Sequence, residues 1–248
     1  MTETTIRYVP RATKKKNAAF YLTHPGAFAK YLYAVYFSRV YLKYIGYYTN
    51  KLFSKNKKFT FNNKDFNYFI HQFNQTYYNE RCVEIPIVKD YLDRYPANET
   101  LEIGNVLSHY FESNHTIIDK FETAKSVINI DVVDYNPGVK YKLIVSISTI
   151  EHIGWDDYPR DDKKILVAME VMKNLLTPDG TLLVTAPMGY NPNLDEMIRT
   201  GKLGFRKQLF LKRKTQMGKW QEISLEETAD ARYGKPFPCA NILFVGIF

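Results

Sequence analysis

The sequence predicts an α/β chain built on a doubly wound, mostly parallel sheet and preceded by an aromatic, basic N-terminal extension. Three observations carry this expectation. From about residue 81 onward, short runs of Val, Ile and Leu alternate with helical stretches, the pattern of repeated βα units. Polar residues recur at the carboxyl ends of those runs, where parallel sheets hold their ligands. In residues 1–80 the patterning gives way to Tyr, Phe, Lys and Asn, and 13 Lys/Arg stand against 3 Asp/Glu, compared with 21 against 23 afterwards. The net charge of +8 is therefore an N-terminal excess of +10 offset by −2 in the rest. These features divide the chain into an extension, residues 1–80, with the potential to act as a lid, and a sheet domain, residues 81–248.

Within the extension, Pro25-Gly26 is a turn signal, and residues 27–48 form an apolar, tyrosine-rich run interrupted by Lys30, Arg39 and Lys43. The charges make it a poor membrane span. On a helix, Arg39 falls nearly opposite Lys30, so they do not share a polar face as an amphipathic membrane helix requires. A helix covering the sheet domain is the expectation. Residues 51–58 read as a solvated basic loop, and no element type is assigned to the aromatic stretch 59–73. In the sheet domain, Pro86 fits the first turn of a helix running to about Tyr95, ended by Pro96-Ala97-Asn98. Strands are expected at 100–103, 116–119, 127–131 and 142–147, with His109 and Tyr110 packing a helix after the first. Residues 161–176 have helical periodicity, and Pro178-Asp179-Gly180 reads as a turn into a strand at 181–185. Two last strands, 208–214 and 241–248, flank a long insert.

The length suffices for one sizeable α/β core plus an extension. Cys82 and Cys239 lack metal-ligand spacing or further partners, so neither a zinc site nor a disulfide framework is indicated, and a reducing cytoplasm is expected. The basic residues 1–16 precede no apolar core with a cleavage site, unlike a secretory signal. A basic, aromatic segment can track a nucleic-acid backbone, lie on an anionic membrane surface, or pack its rings on the main domain.

The strand ends carry the chemistry. Glu102-Ile103-Gly104 closes the first strand, Asp119 the second, Asp131 follows the third, Ser146 and Ser148 close the fourth, and Thr185 closes the fifth. A nucleoside needs an acidic group to accept hydrogen bonds from its ribose hydroxyls. Asp119 lies 17 positions after Glu102, close to the offset of about 20 in dinucleotide-binding fingerprints. The G-x-G-x-x-G turn of nicotinamide enzymes and the Walker phosphate loop are absent, which argues against hydride transfer and ATP-driven phosphoryl transfer.

Three segments carry a family resemblance: L-E-I-G at 101–104, Y-K-L-I-V-S-I-S-T-I-E-H-I at 141–153 and L-L-T-P-D-G-T-L-L-V-T-A-P at 175–187. In order and spacing the chain from Glu80 to Phe248 resembles class I S-adenosylmethionine-dependent methyltransferases. N-E-R-C-V-E-I-P at 79–86, L-E-I-G-N-V-L-S-H-Y at 101–110 and R-Y-G-K-P-F-P at 232–238 are similar to a narrower methyltransferase-like subgroup. The resemblance implies a Rossmann-like fold of the class I methyltransferase type and S-adenosylmethionine as cofactor. It implies that Gly104 lets the backbone approach the methionine part, that Glu102 lies beneath that loop, and that Asp119 binds the ribose. Asp131 is expected near the adenine, with Ser146 and Ser148 on the pocket floor. The chain reads Gly104-Asn105-Val106 where the family pattern carries further glycines, and Asn105, tolerant of positive φ, is expected to replace part of the lost freedom.

Methyl transfer to a hydroxyl calls for in-line positioning and often for a general base. Glu151 and His152, just past the fourth strand, are the candidates, since an imidazole titrates near neutrality; bracing a loop is the alternative role. The cluster Asn79, Glu80, Arg81 and Glu84 either caps a helix with surface ion pairs or lines the pocket. Tyr190, Asn191 and Asn193 follow the fifth strand, where acceptor loops are expected, with an ordinary turn as the alternative. The expected activity is methylation of a hydroxyl or similar nucleophile of a small molecule, such as a sugar or glycan intermediate. A non-catalytic module that binds nucleic acid or a membrane through the basic extension is the rival. An RNA methyltransferase is the third reading, and no Asn/Asp-Pro-Pro-Tyr/Phe motif follows the fourth strand to support base methylation.

Overall fold

A computed structural model describes residues 23–36, 45–53, 57–216 and 218–248. Two compact units divide the chain at 45/46. In the first, helix α1 (Pro25–Tyr36) opens on Pro25, whose missing N–H costs nothing in the first turn. Residues 37–44 of the expected long helix, and the basic residues 1–16, lie outside the described residues. The second unit begins with a separate helix, α2 (Gly46–Phe53). Among the described residues no helix is long and apolar enough to cross a membrane.

The unassigned aromatic stretch starts with an antiparallel hairpin, β1 (Lys58–Phe61) and β2 (Lys64–Asn67). Asn62 and Asn63 form its two-residue turn at φ 51° and 61°, the left-handed pair that matches the twist of the flanking strands. Phe59 and Phe61 point into the core beside Cys82, Val83 and Ile87. The compositional break near residue 80 thus falls inside one compact unit.

Helix α3 (Arg81–Leu92) starts five residues before Pro86, so the proline lies inside it rather than at its start. Pro86 has no N–H to offer the Cys82 carbonyl. That carbonyl accepts from the Phe69 N–H instead, at 2.9 Å, which removes part of the usual cost of an interior proline.

The central sheet has eight strands: β3 (Thr100–Ile103), β4 (Thr116–Asp119), β5 (Val127–Asn129), β6 (Tyr141–Ile147), β7 (Leu176–Pro187), β8 (Lys207–Arg213), β9 (Trp220–Ile223) and β10 (Ile242–Ile247). Their spatial order is β5-β4-β3-β6-β7-β10-β8-β9. Strands β3 to β7 run parallel, β10 runs antiparallel to both β7 and β8, and β9 is antiparallel to β8. The chain builds outward from β3 to β5, returns to β6, and builds the other way. That reversal between β3 and β6 makes the sheet doubly wound and Rossmann-like, as expected from the sequence, and opens a crevice at their carboxyl ends.

Some expected details differ. The helix foreseen after β3 is a single 3₁₀ turn, Leu107–His109. β7 begins at Leu176, and the foreseen turn at 178–180 is extended backbone with a register shift opposite Tyr141 and Leu143. Strand β9 was not foreseen. Along β6 the side chains alternate as a pleated strand requires. Leu143, Val145 and Ile147 join α3 and the hairpin on one face. Ile144 joins helices α4 (Lys164–Asn174) and α5 (Pro192–Arg199) on the other. Burial on both faces holds the polar strand ends in fixed positions.

Candidate functional site

At the end of β3, Gly104 takes φ +84°, a left-handed conformation that suits glycine. A Cβ there would lie 2.2 Å from Thr149 Oγ1 and 2.7 Å from Thr149 Cγ2, so the loops after β3 and β6 meet across the crevice. Asn105 does not take positive φ as expected; the reversal is made by Gly104 alone. The following turn is braced by buried Glu102, whose Oε1 accepts from the N–H groups of Val106 and Leu107, both at 2.8 Å. Its other oxygen lies 2.7 Å from His115 Nε2. Asp119 Oδ2 accepts from the Asn105 N–H at 3.0 Å, and Oδ1 from the Phe121 and Glu122 N–H groups at 2.8 Å. A carboxylate offers about four acceptor positions, so half-buried Asp119 keeps one to spare.

Two orphaned polar atoms mark this rim. Asn105 accepts from Ser108 through its carbonyl oxygen, yet its amide nitrogen is buried without a partner. The Oγ of Ser146, on β6 opposite Ile103, is also buried and unpartnered. Burying such groups unpaired costs roughly 1–3 kcal/mol each, a cost that a ligand or a bound water would remove. Asp131 is not hydrogen-bonded to these residues. It pairs with Lys164 at 2.6 Å and Lys120 at 3.1 Å, and both lysines also hold Asp157. Burial opposes ionisation of Asp131, but the two lysines outweigh it and hold the carboxyl below its ordinary range.

The second half of the crevice is built by α3 against β6 and β7. Glu84 is fully buried; its Oε1 accepts from Ser148 Oγ at 2.5 Å and Thr185 Oγ1 at 2.7 Å, and its Oε2 from Arg81 Nη1 at 2.5 Å. Ser148, the residue after β6, is held at φ +40°, a strained conformation for a side chain that the Glu84 contact fixes. Glu80 accepts from the Ala240 N–H at 3.0 Å; burial pushes its carboxyl up, Glu84 adds to this and Arg81 opposes it. Burial works against the Arg81 charge, yet Glu84 and Glu80 leave it firmly protonated. Asn79 Oδ1 accepts from the Arg81 N–H at 3.0 Å, but the N-cap is Glu80, which makes no side-chain capping bond, and the expected surface ion pairs are buried with Glu80 and Glu84.

Beyond β6, Glu151 is buried with Oε2 unpartnered, and burial pushes its carboxyl well above the ordinary range. Asn191 caps α5 through its Oδ1 and donates to the Glu151 carbonyl at 3.0 Å. Half-exposed His152 has Nδ1 2.5 Å from Asp156 Oδ2, which also accepts from the Tyr190 hydroxyl at 2.8 Å. Its Nε2 lies 3.6 Å from Glu151 Oε1. Tyr190 meets His152 edge-on at 4.9 Å and Tyr233 at 5.3 Å.

The structure thus joins Asn105 to Asp119 by a direct hydrogen bond, with Glu102 bracing the same loop through Val106 and Leu107, and it groups Arg81, Glu84, Ser148 and Thr185 by another set. Sequence reasoning singled out Glu84 only as a member of the polar cluster at 79–84, and left Thr149 and Tyr233 outside the candidate set. A signal existed for Glu84: Val83, Ile85, Ile87 and Val88 surround it, so its helix turn had to be buried and its charge paired. A separate hollow of about 450 Å³, lined in part by Lys58, Tyr68, Cys82 and Gly218, involves none of the strand-end residues.

The chain matches no family model. It likewise matches no curated protein. Among solved structures it is similar to N-methyltransferase NodS from Bradyrhizobium japonicum in complex with S-adenosyl-L-homocysteine, at 13% identity over 68% of this chain and 86% of that one, with TM-score 0.45. It is also similar to sugar N-methyltransferase KedS8 from Streptoalloteichus, at 13% identity over 66% and 86%, with TM-score 0.34. A third is the S-adenosylmethionine-bound amino pentose methyltransferase CalS10 from Micromonospora echinaspora, at 13% identity over 48% and 57%, with TM-score 0.33. Likenesses this distant leave function to be argued from the residues themselves.

Proposed function

We propose that this chain is an S-adenosylmethionine-dependent methyltransferase acting on a hydroxyl or similar nucleophile of a small molecule. The observation that carries the reading is the switch-point crevice, where Gly104 turns the backbone, Asp119 keeps an acceptor position, and Asn105 Nδ2 and Ser146 Oγ stand buried without partners. These groups fit a nucleoside with a polar amino-acid tail. Asp119 would hold the ribose, and Gly104 with Asn105 the methionine part. Ser146 and Ser148 would line the floor, Glu102 would stiffen the loop from beneath, and Asp131 would act near the adenine through the ion pairs it anchors. The cofactor, when bound, supplies an electrophilic methyl group on a sulfonium.

The chain's own residues handle the acceptor. Glu80, Arg81, Tyr190 and Asn191 would contact it. His152 takes the acceptor's proton at Nε2, because Asp156 engages Nδ1 and so favours the tautomer with Nε2 free. Glu151, whose carboxyl burial pushes well above its ordinary range, lies beside the base, with Oε1 3.6 Å from His152 Nε2.

Native mass spectrometry of the freshly purified protein tests the cofactor assignment. Co-purified S-adenosylmethionine or its demethylated product is the expected finding, lost in Asp119→Ala. An unrelated nucleotide in its place, such as a dinucleotide, would count against the reading.

A further inference from the structure

We propose that the hollow between α2, the β1–β2 hairpin and the turn joining β8 to β9 binds a small phosphorylated molecule by its phosphate. The site is separate from the switch-point crevice and does not rest on the methyltransferase reading.

The hollow measures about 450 Å³, within the range of small-molecule sites. Lys57 and Lys58, at the start of the hairpin, and Lys219, just before β9, line it together. Two hydrogen bonds tie the hairpin segment to β9 and so fix this meeting: the Asn62 N–H donates to Glu222 Oε2 at 2.7 Å, and the Trp220 N–H to Tyr68 Oη at 3.0 Å. No carboxylate lines the hollow, and among the described residues none of the three lysines forms an ion pair. Lysines elsewhere do, such as Lys64 with Asp90 and Lys142 with Glu99.

The neutral polar groups of the hollow are donors as well. Tyr68 Oη already accepts from Trp220, and Thr215 Oγ1 accepts from the Lys219 N–H at 3.1 Å. Each hydroxyl therefore has its proton left to give. Burial pushes the Tyr68 hydroxyl up, which keeps it a donor, and pushes the Cys82 thiol up to about 12, which keeps that wall neutral. Behind Thr215 lies a further positive charge. Buried Arg213 donates through Nε to the Thr215 carbonyl at 3.1 Å and spends its other donors on carbonyls, with no carboxylate in ion-pair range among the described residues.

Ammonium groups and hydroxyl donors around one hollow, with no anion among them, select an anionic ligand. A phosphate monoester matches this set, since it carries about −1.5 to −2 charge at pH 7 and three acceptor oxygens. Ile70, Tyr77 and Cys82 give its organic body an apolar wall. A nucleic-acid backbone calls instead for cations spread along a groove.

The test titrates the full chain with phenyl phosphate, phenol, inorganic phosphate and a single-stranded oligonucleotide, using isothermal calorimetry. Phenyl phosphate should bind more tightly than phenol or inorganic phosphate, and excess S-adenosylhomocysteine should not displace it. The affinity should fall about tenfold or more when Lys58→Gln and Lys219→Gln are combined, and stay unchanged in Lys89→Gln, a lysine outside the hollow. All three lysines are exposed, so these variants should fold as the wild type does, which thermal melting checks. No binding of phenyl phosphate, binding indifferent to the paired substitution, displacement by S-adenosylhomocysteine, or binding of the oligonucleotide alone would each overturn the proposal.

Discussion

Replacing Gly104 by alanine probes the contact that closes the crevice between β3 and β6. An L-residue at φ +84° costs about 1–2 kcal/mol over glycine. The new methyl would also sit 2.2, 2.7 and 2.9 Å from Oγ1, Cγ2 and Cβ of Thr149, an overpacking that costs about 1–3 kcal/mol. Gly104→Ala should therefore destabilise the protein by about 2–5 kcal/mol in equilibrium urea unfolding. The two contributions separate in a double-mutant cycle. Thr149→Gly removes all three clashing atoms but leaves the backbone strain, so the double variant should be more stable than additivity predicts by about 1–3 kcal/mol. A single variant within about 0.5 kcal/mol of wild type, or strictly additive effects, would refute the geometry assigned to this loop.

Glu84→Ala strips Ser148, Thr185 and Arg81 of their shared acceptor and leaves a buried guanidinium unpaired; a loss of about 3–5 kcal/mol in the same unfolding assay is expected, with Glu84→Gln milder. Asp195, at the start of α5, accepts from the Gly189 N–H while its other oxygen is buried unpartnered, and burial pushes its carboxyl up to about 6. The folded state then binds this proton more tightly than the unfolded chain does, so stability falls as pH rises from about 4 to 6 and stays lower above that. Asp195→Asn should flatten that slope in pH-dependent melting and gain up to about 3 kcal/mol at pH 7. For the base, nitrogen-15 NMR should find neutral His152 protonated at Nδ1, and Asp156→Ala should shift the population toward Nε2–H; an unchanged tautomer would remove Asp156 as its positioning residue.

The parallel core was legible because β3, β4, β6 and the end of β7 are short buried runs whose pattern survives without tertiary information, and because their polar ends fall where a doubly wound sheet needs them. The hairpin was not, since Asn62-Asn63 fulfils the turn without the Asn-Gly signature that announces one. Pro86 misled because its unmet carbonyl is satisfied by Phe69, a contact 17 residues from the proline that no local rule contains. Of the candidate site, the strand-end positions of Glu102, Gly104 and Asp119 were legible along one strand-loop-strand unit. Glu84 and Asp156 act on residues reached only through the fold: Glu84 on Ser148 and Thr185, more than 60 positions away, and Asp156 on Tyr190.

The central claim is that the crevice between β3 and β6 holds a sulfonium nucleoside against Gly104 and Asp119. Isothermal titration of S-adenosylmethionine and S-adenosylhomocysteine into the full chain tests it most directly. The account predicts saturable one-to-one binding of both, abolished by Asp119→Ala in a protein that remains folded. Folded wild-type protein that binds neither, or binding indifferent to Asp119, would contradict it.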